Sequence, residues 1–151
     1  MIQKKFNRNE TIIAFHTKGS SCIDDAEYLF NNRRIQNYGT LLLQGIELLF
    51  KSFILLKDKR TTPNSLRLEY GHNYYKAYKK CQEIDDTGIF SNKVLEASIN
   101  MLYESYEKDY VNLRYPSKVN TRSHLRNVFG HVRDGLVITI KPLLINLKIK
   151  Q

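Results

Sequence analysis

Apolar residues recur at three- and four-residue intervals along most of the chain, and alternation of the kind that marks strands does not persist anywhere, so the pattern predicts helices throughout. The clearest stripe is Leu41, Leu42, Gly45, Leu48, Leu49, Ser52, Phe53 and Leu56, which predicts a central core helix over about 35–57. Ahead of it, Ser20 or Ser21 can cap a helix running to about residue 31, with Asp24 and Asp25 in its first turn and Ile23, Ala26, Leu29 and Phe30 on its apolar face. Residues 1–19 are polar and basic, and their short apolar piece, Ile12 to Phe15, reads equally as a strand-like arm or a helical turn. The charged stretch 57–63 closes the central helix, with Pro63 as a breaker. A third helix starts near Ser65 or Gly71 and ends before Asp85-Asp86-Thr87-Gly88. Ser91 can cap a fourth helix to about residue 111, with Val94, Leu95, Ile99, Leu102 and Tyr106 facing inward. A loop at Arg114-Tyr115-Pro116 leads to a last helix over about 120–147, which Pro142 should kink or end and whose Val137 to Ile140 run is β-branched. The expected fold is an all-α, up-and-down bundle of about five helices, with 1–19 as an N-terminal arm and 20–151 as the helical domain.

Composition keeps this within ordinary globular proteins. With 151 residues, 42% hydrophobic and 26% charged, the chain can bury one core without staples. Lys and Arg total 24 against 15 Asp and Glu, a formal +9 that favours an anionic partner such as nucleic acid or an acidic membrane surface, although the basic residues are scattered. Cys22 and Cys81 lie far apart with no companion at metal-ligand spacing, so neither a disulfide framework nor a metal site is indicated, and a reducing cytoplasm is the expected setting. No signal-peptide core and no stretch of membrane-spanning length is read, so no membrane partner is expected, and no cofactor is called for.

Chemistry concentrates at Arg126-Asn127-Val128-Phe129-Gly130-His131. Arginine offers a planar fork of donors to a phosphate, and histidine titrates near neutral pH. On a helix Asn127 and His131 share a face one turn apart, while Arg126 stands about 140° round from His131. Asp134, three positions on, can hydrogen-bond the imidazole, and Gly130 and Gly135 leave the surroundings of the motif uncovered. The same residues also fit a plain structural role, with Arg126 in an ion pair, His131 at a helix interface and the glycines easing helix packing. Glu47 and Lys51, four apart, read as a surface pair unless they face the interior, where Glu47 would anchor a basic residue such as Arg126. His72 begins a helix followed by Tyr74, Tyr75 and Tyr78, rings that can stack on RNA bases or cover the core.

Arg126-Asn127-x-x-x-His131 resembles the R-x(4–6)-H motif of the HEPN family. Leu42 to Lys51 is similar to that family's E-x-x-x-K helix, Gly71-His72-Asn73 to its GH-D/N helix start, and Arg114-Tyr115-Pro116 with the final helix to its C-terminal part; in order and spacing the likeness spans roughly 20–147. The resemblance implies a homodimeric helical bundle that cleaves RNA without metal at a basic cleft between two motifs, in a defence or toxin–antitoxin setting. Arg126 would hold the scissile phosphate, His131 would move the proton of the ribose 2′-hydroxyl, and Asn127 would position either. Arg133 stands where one toxin subgroup has a tyrosine two residues past the histidine, which argues against control through that tyrosine and weakens the case for a nucleotidyltransferase antitoxin. Relatives without nuclease activity keep a second class open, a helical module that binds a nucleotide, RNA or a protein partner.

Overall fold

The computed structural model describes residues 7–32, 38–105 and 122–149, and within these every regular element is helical. Helix α1 spans Arg8–Asn31. It does not begin at Ser20 or Ser21: Asn7 and Glu10 form a reciprocal capping box, Asn7 Oδ1 accepting from the Glu10 amide at 2.8 Å and Glu10 Oε2 from the Asn7 amide at 3.1 Å. Ser20 instead lies inside the helix and donates back to the His16 carbonyl at 2.8 Å. From residue 8 onward, the segment expected to be a separate arm is therefore the first half of a helix that continues into the domain.

Helix α2, Tyr38–Lys57, is the centre of the core. Leu42, Leu43, Ile46, Leu49, Phe50, Phe53, Ile54 and Leu55 are all fully covered, more of the circumference than one stripe, because α1 packs along one side and α4 along the other. Its length and mean hydropathy of 1.6 would suit a membrane span, which amends the expectation that none reaches that length; here the helix is packed inside the bundle. Arg8 ties α1 to the C-terminal end of α2, donating to the carbonyls of Leu55 at 2.5 Å and Asp58 at 2.7 Å where the helix stops.

Gly19 of α1 and Gly45 of α2 meet backbone to backbone. A Cβ on Gly45 would stand 2.7 Å from the Gly19 carbonyl and 2.8 Å from Ile23, so the apparent break in the sequence is a crossing point. Alanine at 45 gains about 1 kcal/mol of helix propensity but must push a backbone carbonyl away, at a cost of about 1–3 kcal/mol. Gly45→Ala is thus expected to lower stability by up to about 2 kcal/mol in urea denaturation, despite improving the isolated helix.

The single third helix read from the sequence is two. Thr62 caps α3, Pro63–Tyr70, with Pro63 at its first turn, and Asn73 caps α4, Tyr74–Ile84. Gly71 between them has φ +52°, a conformation that favours glycine. Asp85 then organises the next turn by accepting from the amides of Thr87 and Phe90, each at 2.8 Å. Phe90 enters the core against Phe53, with centroids 4.7 Å apart. Helix α5, Lys93–Ser105, is capped by Asn92, whose Oδ1 accepts from Val94 and Leu95, and not by Ser91. Leu95, Ile99 and Leu102 face inward as expected, but Val94 is 52% exposed; Tyr106 lies outside the described residues.

Helix α6, Arg122–Val132, passes through a wide π-helical turn, Arg133–Val137, into α7, Ile138–Ile149. Pro142 sits inside α7 and does not end it. Buried His16 of α1 meets the Val137 carbonyl through Nε2 at 3.1 Å, and Arg133 binds Asp24 at 3.1 Å and also Glu27, so α1 grips the wide turn from two sides. Phe30 against Phe129 continues that packing into α6. The described residues thus form an all-α bundle of six helical rods, counting α6, the wide turn and α7 as one.

Candidate functional site

Helix α6 meets α5 along one side. Ser98 Oγ lies 2.9 Å from His131 Nδ1, and a Cβ on Gly135 would stand 3.4 Å from Leu95, so the two helices run in opposite directions. Between their outer edges is a groove of about 420 Å³. His131 and Asn127 line it from α6 with Val128; Lys93, Ala97 and Met101 line it from α5. His131 is half-buried, and its Nδ1 is engaged by a serine that is itself only 4% exposed, which leaves Nε2 as the nitrogen able to meet a ligand. A hydroxyl can donate to or accept from an imidazole nitrogen, so Ser98 holds the ring in place whichever tautomer it carries.

Reading the sequence for motifs does not single out Ser98, yet the chain carries a signal for it. It occupies the inward stripe of α5 with Leu95, Ile99 and Leu102, and a serine in such a stripe needs a hydrogen-bond partner. Asp134, expected to hold the imidazole, is exposed and makes no bond to it. Arg126 is exposed and outside the groove, as its position about 140° round the helix from His131 dictates. One chain therefore brings Asn127 and His131 together and leaves Arg126 on an adjoining face.

The two glycines of the motif region differ. Gly135 is buried against Leu95 and eases the approach of α5, whereas a Cβ on Gly130 would meet nothing within 4 Å. Gly130→Ala is accordingly expected to stabilise the chain by up to about 1 kcal/mol through helix propensity alone, read as a rise in the urea midpoint.

Glu47 and Lys51 are not a surface pair. They are 4% and 9% exposed, with Lys51 Nζ 2.6 Å from Glu47 Oε1 and 2.6 Å from the Gly71 carbonyl. His72 Nδ1 lies 3.5 Å from Glu47 Oε2. Glu47 thus joins α2 to the α3–α4 junction, and among the described residues the basic groups it meets are Lys51 and His72 rather than Arg126. The rings after His72 divide: Tyr74 and Tyr78 are fully buried in the core, and burial first of all holds the Tyr78 hydroxyl up at about 12. Tyr75 stacks on Tyr103 at 3.9 Å. Cys22 and Cys81 are buried free thiols, and burial raises both. His124 lies outside the described side chains, and no group of three His, Cys, Asp or Glu gathers as a metal site among the described residues.

The chain matches no protein-family model, no curated protein and no solved structure.

Proposed function

We propose that this chain is a metal-independent endoribonuclease of HEPN type, acting as a homodimer through Arg126, Asn127 and His131. The observation that carries the reading is the His131–Ser98 contact in an open groove, an imidazole fixed through one nitrogen and available through the other. With its Nδ1 proton donated to Ser98 Oγ, His131 takes the ribose 2′-hydroxyl proton at Nε2. The 2′-oxygen bonds to phosphorus, the bond to the 5′-oxygen breaks, and that oxygen takes a proton from water as it leaves. Products end in a 2′,3′-cyclic phosphate and a 5′-hydroxyl, and DNA, lacking the nucleophile, is inert. Arg126 stabilises charge growing on the phosphate. It stands outside its own chain's groove, so this reading requires a second copy to supply the facing half of the site.

Incubating the wild-type protein with a mixed RNA pool in EDTA, with product ends read by mass spectrometry, tests this directly. Cyclic phosphates are the expected result. No cleavage by folded protein transfers the reading to a non-catalytic module that binds a nucleotide, RNA or a protein partner, a class favoured by the separation of Arg126 from His131 within one chain. As a positioning residue, Ser98 has its own signature: Ser98→Ala is expected to lower kcat about tenfold with KM nearly unchanged, and Ser98→Thr to recover much of the loss.

A further inference from the structure

From the division of polar and apolar lining along the groove, we infer that its α5 side is a seat for the nucleoside next to the reacting phosphate, with Lys93 as a phosphate contact. This rests on the reading of the groove as an RNA site. Its volume of about 420 Å³ falls within the ~300–1,000 Å³ of small-ligand clefts. Ala97 and Met101, one turn apart on α5, form an apolar strip that Val128 of α6 closes from the other side. Val94 extends the strip and is 52% exposed, while Leu95, Ile99 and Leu102 of the same helix are buried. A flat ring can lie on such a strip, because every base has an apolar face whatever its hydrogen-bonding edge.

The polar groups are spaced to suit the rest of a nucleotide. Because α5 and α6 are antiparallel, Lys93 and Asn127 fall toward opposite ends of the groove, with Ser98 and His131 between them. Lys93 is the lysine in this lining, and its exposed ammonium has only a 3.3 Å contact to Glu96, a surface pair that a phosphate readily replaces. A base on the Ala97–Met101 strip sets its ribose by the His131 ring and a phosphate by Lys93. The ligand class is a nucleoside 3′-phosphate or the same unit within an RNA strand.

The test titrates the four nucleoside 3′-monophosphates into wild type, Ala97→Leu and Lys93→Ala, with circular dichroism confirming each fold and light scattering each oligomeric state. Ala97 is exposed, so leucine there fills the groove without entering the core. The expected result is measurable binding by wild type, weakened at least about tenfold by Ala97→Leu, and weakened several-fold by Lys93→Ala with a reduced dependence on salt. Equal binding by wild type and Ala97→Leu, or no binding by wild type, overturns the seat. So does a change of oligomeric state in Ala97→Leu, which gives the strip to a second copy of the chain. RNA cleavage by the same preparations separates the two ideas. Nucleotide binding without cleavage removes the nuclease reading and keeps the seat, while cleavage unaffected by Ala97→Leu keeps the nuclease and removes the seat.

Discussion

Replacing His131 with alanine is expected to reduce RNA cleavage by about 10²–10⁴-fold, the usual contribution of a positioned general base or acid. The loss should fall on kcat, because the groove retains Lys93, Asn127 and its apolar strip for binding. Stability should fall by no more than about 1–3 kcal/mol, since His131 is half-buried at the groove edge and its removal takes from the buried Ser98 hydroxyl the partner it has in the structure. The measurement is single-turnover cleavage of a defined RNA in EDTA, alongside urea denaturation of both proteins. Cleavage that persists at the wild-type rate in folded His131→Ala would remove this residue from the chemistry.

The largest expected effect on stability belongs to Glu47. Its carboxylate and the Lys51 ammonium are both buried, and Lys51 also holds the Gly71 carbonyl. Removing one member of such a pair leaves an uncompensated charge in the core, which costs about 3–5 kcal/mol. Against a total of about 5–15 kcal/mol for a typical domain, Glu47→Ala is expected to leave a marginal fold. The cause can be separated from simple loss of packing. The double replacement Glu47→Leu with Lys51→Met removes both charges and is expected to restore most of the deficit, because two apolar chains of similar bulk replace a pair whose desolvation is costly. A Glu47→Ala protein as stable as wild type in urea, but impaired in RNA cleavage, would instead give this carboxylate a role in the site.

The parts of the fold that are readable in the sequence obey local rules. The inward faces of α2 and α5 are legible because apolar spacing of three and four residues leaves little choice. The breaks near residues 57–63 and 85–88 are legible because their residues prefer turns. Misreadings arise where two local signals compete or where the deciding partner is remote. Asn7 with Glu10 is a complete capping box, but Gly19-Ser20-Ser21 offers a second, louder start. Only Gly45, on another helix, explains why a glycine sits at position 19. Asn92 outcompetes its neighbour Ser91 because its side-chain oxygen reaches two amides of the adjoining turn. At the site, helical geometry dictates the shared face of Asn127 and His131. It does not dictate the partner of His131, since nothing within α6 indicates that α5 brings Ser98 to it. Asp134 is the nearest candidate in the chain and the wrong one in space.

The wide turn at Arg133–Val137 also sets where this rod can be shortened. A π-helical turn accommodates a residue more than the α-helix around it. Deleting one residue inside this turn would let the rod close into regular α-helix with the downstream face still in register, whereas a deletion in the regular helix beyond it rotates everything that follows by about 100°. A deletion early in α7 would swing Leu144, now buried, away from the core while leaving Asn127 and His131 where they are. An engineer shortening the protein should therefore find the wide turn the place where this rod can give up a residue, and α7 intolerant of the same change.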